Sequence, residues 1–129
     1  MKKKFSKKWK SSKQPRKQRK YLINAPLHVK HKFLGSHLSK ELYQKYKIKS
    51  IPVRKEDEVI IKRGQFKGTK GKVEKVLLRR TRIFVANAQI QKRDGNKVYY
   101  PIHPSNVVIV DLNLKDKERT KIIERRNKK

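Results

Sequence analysis

Cysteine is absent from the 129 residues, which excludes a disulfide-stapled scaffold, thiol catalysis and thiolate metal sites. Acidic side chains are scarce: 10 Asp and Glu stand against 39 Lys and Arg, a formal net charge of +29. The longest aliphatic run is Val107-Val108-Ile109-Val110, far short of the roughly 20 residues a membrane-spanning helix needs. The Lys-rich start lacks the apolar stretch of a secretory signal. It also lacks the Arg-rich amphipathic pattern of a mitochondrial presequence. The chain reads as cytosolic.

So large a positive surplus opposes compaction by self-repulsion unless a polyanion neutralises it, and nucleic acid is the expected partner. The charge is unevenly spread. Residues 1–50 hold 17 basic residues and one acid, Glu41; residues 51–110 hold 14 and five; residues 111–129 hold eight and four. Leu, Ile, Val and Phe account for 21 of the 62 residues from Ile51 to Leu112 but only 10 of the first 50, so the first segment sits at the limit below which chains tend to be disordered. The core is expected in the middle. The first 20 residues, 11 of them basic, are expected to be an unstructured interaction tail when free, with Phe5, Trp9 and Tyr21 available to stack on bases.

Pro26 biases Ala25 toward extended backbone. Ser39 suits a helix cap, with Leu38 and Tyr43 placed for a hydrophobic staple, and Leu38, Leu42 and Tyr46 recur every four residues. One short helix is predicted near 39–47, docked through a narrow apolar face. After Val53 the period changes to two. Val59 and Ile61 form one alternation, and Val73, Lys75 and Leu77 alternate with Glu74, Val76 and Leu78. Ile83-Phe84-Val85 is a further run. Ile90–Arg93 and Lys97–Tyr100 flank Asp94-Gly95, a hairpin-turn dipeptide, and Val107–Val110 reads as a strand buried on both faces. Closely spaced short strands with no helical pattern between them suggest a small closed barrel. After Asn113 a helix is predicted, with Asp116 and Glu118 near its start and Arg125 and Arg126 near its end, as the helix dipole favours.

The most informative stretch is Asp57–Val73. Gly64, Gly68 and Gly71 allow sharp turns and close approach, while Arg63, Lys67, Lys70 and Lys72 set charge around the loop. A phosphate backbone is the fitting partner; a plain hairpin with solvated lysines is the alternative. A nucleotide-binding loop fails twice, because Phe66 stands where its first glycine belongs and Val73 where Ser or Thr must hold magnesium.

Asp57–Val76 resembles the KOW motif, with its glycine turn at Gly64, Lys67-Gly68, and Gly71-Lys72-Val73. The flanks narrow the resemblance. Ser12–Lys20, Asn24–Val29, Leu38–Leu42, Pro52–Lys55 and Ile102–Val107 are similar, in order, to the archaeal form of the universal large-subunit ribosomal protein L-twenty-four, called L-twenty-six in eukaryotes. Eukaryotic members carry an extra residue between Gly68 and Gly71, so the resemblance favours the archaeal type. It implies a small SH3-like (KOW) β-barrel that binds large-subunit rRNA near its 5′ domain, acts early in assembly and lies near the peptide exit tunnel beside neighbouring ribosomal proteins. The expected architecture is therefore mainly β: a basic N-terminal extension over 1–50, the KOW SH3-like barrel over 51–112, and a C-terminal helical tail over 113–129.

The resemblance assigns RNA contact to Gly64, Lys67 and Gly68, to the cluster Arg16, Lys17, Arg19 and Lys20, to Asn24 and His28, and to His103. Lys13, Lys30, His31, Lys32 and Arg54 join these as candidates from the basic extension and its junction. Arg63, Lys70 and Lys72 join from the loop, and Arg79, Arg80 and Arg82 from a second basic turn that could equally be solvated.

Catalysis has little support. Glu56-Asp57-Glu58 suits a turn or a counter-charge for Arg54 and Lys55, and no spacing of Ser, His and acid suggests a nucleophile. His28-x-x-His31 could hold a metal, but no Cys supplements it and neighbouring lysines oppose a cation; the histidines read as RNA donors or packing residues. No cofactor or small-molecule substrate is expected. A KOW transcription factor would need a further polymerase-binding domain, and a DNA-compacting protein would carry its charge in low-complexity repeats.

Overall fold

Secondary structure runs through nearly the whole chain in the computed structural model, which describes residues 2–128. First come a 3-10 turn at Lys7–Ser11, helices α1 (Pro15–Asn24) and α2 (Leu27–Phe33), strand β1 (Gly35–Leu38), helix α3 (Lys40–Tyr46) and strand β2 (Ser50–Pro52). There follow β3 (Glu58–Ile61), β4 (Lys70–Leu77), β5 (Arg82–Val85), the pair β6 (Gln89–Gln91) and β7 (Lys97–Tyr99), a 3-10 turn at Pro104–Asn106, β8 (Val107–Asp111) and helix α4 (Lys117–Asn127). Among the described residues, four α-helices and eight strands make a mixed fold where a mainly β one was expected.

Six strands form one sheet in the order β2-β1-β8-β3-β4-β5, and β6-β7 form a separate hairpin. Neighbours are antiparallel except β1 and β8, which run parallel. The closed barrel of the sequence reading is not formed by these hydrogen bonds: the sheet ends at β2 and β5. Past β5, among the described residues, the backbone partner is one antiparallel bridge, Ile83 to Ile102, with N–H···O distances of 2.8 and 3.0 Å. Ile102 exchanges both bonds with Ile83, so the next ladder donors would be residues 100 and 104; the Tyr100 N–H goes to the Ala88 carbonyl at 2.9 Å instead, and Pro104 has no N–H to donate, so the ladder stops after one residue.

Alternation places Val59 and Ile61, Ile83 and Val85, and Val107 and Ile109 on one face, all essentially inaccessible to water. Each stabilises the fold by about 1.5–3 kcal/mol through burial. Strand β8 departs from the expected two-sided burial, because Val108 and Val110 are only half-buried. Strand β4 departs from the expected strict alternation. A register shift against β5 between Val73 and Lys75 breaks the period, so Val73 is buried while Val76 and Leu77 are half-buried.

Helix α3 follows its sequence signals. The Ser39 side chain accepts from the Leu42 N–H at 3.3 Å, and Leu42 and Tyr46 lie against the core. In the N-terminal segment an unstructured tail gives way to helix. Pro15 opens α1 from a position where its missing N–H costs nothing. The Gln18 amide secures the preceding turn by donating to the carbonyls of Trp9, Lys10 and Ser12 at 2.9, 3.2 and 2.6 Å.

Helix α4 is pinned to the sheet by a buried ion pair. Asp57 and Arg119, 0% and 1% exposed, make two parallel 2.6 Å contacts, Nη1 to Oδ1 and Nη2 to Oδ2. The guanidinium also donates to the carbonyls of Asn113 and Pro52, and the carboxylate accepts from the backbone N–H groups of Arg54 and Asn113. The acidic triplet thus serves as counter-charge, but mostly for residues far along the chain. Glu56 pairs with Lys115 and Glu58 with Lys70, each at 3.3 Å.

Candidate nucleic-acid interface

The loop between β3 and β4 is shaped by two glycines in the left-handed region, Gly64 at φ 98° and Gly68 at φ 88°. It is closed by the Gly68 N–H donating to the Ile61 carbonyl at 2.7 Å and the Ile61 N–H donating to the Thr69 carbonyl at 2.9 Å. Phe66 turns inward, its ring 5.3 Å from that of Tyr100. Arg63 and Lys67 remain exposed with no ion-pair partner among the described residues. A Cβ at Gly64 or Gly68 would meet nothing within 4 Å, so the loop's outer surface is open to a partner's backbone. Gly71 differs from the expectation of a third turn glycine. It lies within β4, where a Cβ would meet Val85 Cγ1 at 3.0 Å; its close approach is internal.

Gly68→Val therefore acts through backbone conformation, not collision. It is expected to lower the free protein's stability by about 1–2 kcal/mol, read as a lower urea midpoint with an unchanged slope. A midpoint equal to the parent's would show that the loop relaxes out of the left-handed conformation without cost.

Beside this loop, a groove is walled by Arg63, Gly64 and Phe66 on one side and by Arg82, Tyr100 and His103 on the other. It continues into a second groove, sharing Arg82, Pro101 and His103, that reaches Arg79 and Arg80 and the ends of α1 and α2. Neither groove is lined by a carboxylate. Burial first, and then the charge of Arg82, hold the His103 imidazolium below its ordinary range. Both causes favour the neutral ring. Its Nδ1 accepts from the Ser105 N–H at 3.2 Å, which leaves the proton on Nε2 as a donor.

Acids gather at the opposite end. Strand β3 runs from Glu58 to Ile61 at the base of the loop, and Glu58 pairs with Asp111 of β8. Glu56, Glu58, Glu74 and Asp111, four of the chain's 10 acids, line one hollow there. The molecule is thus polarised along β3, with arginine-rich grooves at one end and a near-neutral patch at the other. A polyanion is steered to the first and away from the second.

Several sequence candidates fall outside the grooves. Lys72 projects from β4 opposite Glu58 and lines the acidic hollow, and Lys70 is held by Glu58, so neither sets charge around the loop as expected. Arg54 is bound to Asp116, whose carboxyl is held below the usual carboxylate range first by that hydrogen bond. Lys30, by contrast, lines the second groove but is buried, with Nζ donating to the Arg79 carbonyl at 2.8 Å; it fixes the second basic turn. Lys13, Arg16, Lys17, Arg19, Lys20 and Asn24 are exposed on or just before α1, and His28, His31 and Lys32 on α2.

Phe5, Trp9 and Tyr21 are not the open stacking platforms expected of them. Phe5 stacks on Tyr21 at 5.5 Å, Tyr21 meets Phe33 edge-on, and Lys20 lies 6.0 Å from the Trp9 ring. The aromatic surface facing the grooves comes instead from Phe84, Tyr99 and Tyr100, which sequence reasoning passed over. Their signal was the pairing of two tyrosines with Pro101 at the end of a hairpin strand whose residues are all exposed.

A family model for ribosomal proteins, L26 in eukaryotes and L24 in archaea, matches residues 12–126. The chain belongs to this ribosomal protein family. Membership makes it a structural constituent of the large subunit of the cytoplasmic ribosome, part of a ribonucleoprotein that carries out translation. The matched span takes in α1, α2, the glycine loop, both grooves and most of α4, leaving the 3-10 turn at Lys7–Ser11 outside.

Proposed function

We propose that this large-subunit protein binds rRNA through its loop end, near the 5′ domain of the large-subunit rRNA, early in assembly and close to the peptide exit tunnel. The polarity of charge along β3 carries this reading: the two grooves free of carboxylates lie together, and the acids lie at the far end, available to neighbouring ribosomal proteins. Arg63, Gly64, Lys67 and Gly68 position the protein on a phosphate backbone. Arg79, Arg80 and Arg82 supply planar forks for further phosphates, and His103 donates from Nε2. Helix α1 carries Arg16, Lys17, Arg19 and Lys20 along an adjoining rRNA segment, with Lys13, Asn24, His28, His31 and Lys32 extending the same exposed surface.

In this reading residues 51–112 form an SH3-like KOW unit of archaeal type whose open edge at β5 is covered by the Ile102 bridge, with 113–129 as one extension and 1–50 as another that lends strand β1 to the sheet between β2 and β8. It acts by binding and positioning, not by catalysis. The test is crosslinking in native cells with sequencing of the attached RNA along the whole large-subunit rRNA. Crosslinks concentrated in the 5′ region are expected. Crosslinks scattered over many transcripts, or recovery mainly with DNA, would overturn the reading in favour of generic use of the charge.

A further inference from the structure

The groove beside the second basic turn is built unlike a surface that meets only phosphates. Its floor is aromatic: Phe84 and Tyr99 lie 6.1 Å apart with their rings tilted by 32°, and Tyr99 is 41% exposed. Leu22 and Ile23 at the end of α1 form a wall, 53% and 70% exposed. Arg79 and Arg80 stand at the rim, and no carboxylate lines the groove. The rim is held in place. The buried Lys30 ammonium donates to the Arg79 carbonyl, Thr81 at φ 53° turns the chain sharply, and the Arg82 Nη1 donates to the Thr81 carbonyl at 3.0 Å.

A double helix offers phosphates on its outside and hides its bases, so it would satisfy the arginines and leave the aromatic floor and the apolar wall in water. A ligand that is flat, apolar on its faces and joined to anions at both ends satisfies all three. We propose that this groove receives the base of an unpaired rRNA nucleotide, stacked on Tyr99 and Phe84, with Arg79 and Arg80 holding the flanking phosphates. The inference deepens the rRNA-binding reading and rests on it. It assigns Tyr99, a residue without charge, as a determinant of which RNA the protein takes.

The test uses the full chain and two probes, a mixed-sequence single-stranded RNA of about 12 nucleotides, within the range such surfaces cover, and a duplex of the same length, each titrated by fluorescence anisotropy. Tyr99→Ala is expected to weaken the single strand about tenfold or more, as loss of one base stack does, and to leave the duplex within about twofold, because its phosphate contacts are untouched. Tyr99→Phe keeps the ring and should restore single-strand affinity, which separates stacking from any disturbance of the hairpin. Arg80→Gln should weaken both probes. If Tyr99→Ala leaves both affinities unchanged, or lowers both equally, the nucleotide subsite is overturned while RNA binding stands. If the parent chain binds neither probe, the rRNA reading fails with it.

Discussion

Replacing Arg119 with methionine is expected to lower the free energy of unfolding by about 3–5 kcal/mol, the loss typical when one partner of a buried pair is removed. The reason lies in what would be left behind. Asp57 is fully buried, and without the guanidinium its carboxylate keeps only the N–H groups of Arg54 and Asn113 against the cost of an unpaired charge away from water. A domain of this size has about 5–15 kcal/mol in all, so the variant should be partly unfolded at 37 °C. Asp57→Leu should cost more, because it strands a buried guanidinium and also orphans two backbone donors, each of which carries its own desolvation penalty. The double variant should recover part of the loss, since well-packed apolar residues often replace a buried pair at little cost. It cannot recover all of it, because Arg54 and Asn113 still lack their acceptor. Urea unfolding of the three variants checks the order, and a loss below about 1 kcal/mol for Arg119→Met would mean that water reaches the pair.

That pin also shows where the sequence stops being legible. Signals that depend on a few adjacent residues carried through: the Ser39 cap, the Asp94-Gly95 turn with Gly95 at φ 90°, and the left-handed positions of Gly64 and Gly68. Elements without such signals did not. Strands β1 and β2 have four and three residues, too short for a period to be counted, and they exist because β8 offers β1 a parallel edge. Helix α1 buries no residue, so no apolar stripe announces it; Pro15 and the strong helix formers after it were the available cue. Closure of the sheet was over-read because alternation counts strands but says nothing of Pro104, or of the Tyr100 N–H turned to Ala88, ending the last ladder. In the candidate interface, the abundance of cations was plain from composition. Which of them are already engaged inside the protein, as Lys30, Arg54 and Lys70 are, depends on pairings 12 to 62 residues apart that no local pattern encodes.

The helical form of α1 sharpens what its charge should do. Arg16 lies over Arg19 and Lys20, and Lys17 over Lys20, all at the three- and four-residue spacings where like charges repel by about 0.2–0.5 kcal/mol per pair. No acid stands in the helix to relieve them. Changing Arg16, Lys17, Arg19 and Lys20 together to glutamine, which is nearly as good a helix former, should therefore raise the helicity of the free protein. If these four cations each meet a phosphate on rRNA, the same change must remove about 0.7–0.9 from the salt slope per contact, close to three in all. Between about 50 and 200 mM salt the parent's affinity should then fall about a hundredfold further than the variant's. The two readouts move in opposite senses, so weaker binding cannot be put down to a damaged helix. Circular dichroism follows the first and a salt titration against a large-subunit rRNA fragment the second. Parallel salt slopes for parent and variant would show that α1 faces a protein neighbour, or water, and that the phosphates are met by the loop and the arginine turn alone.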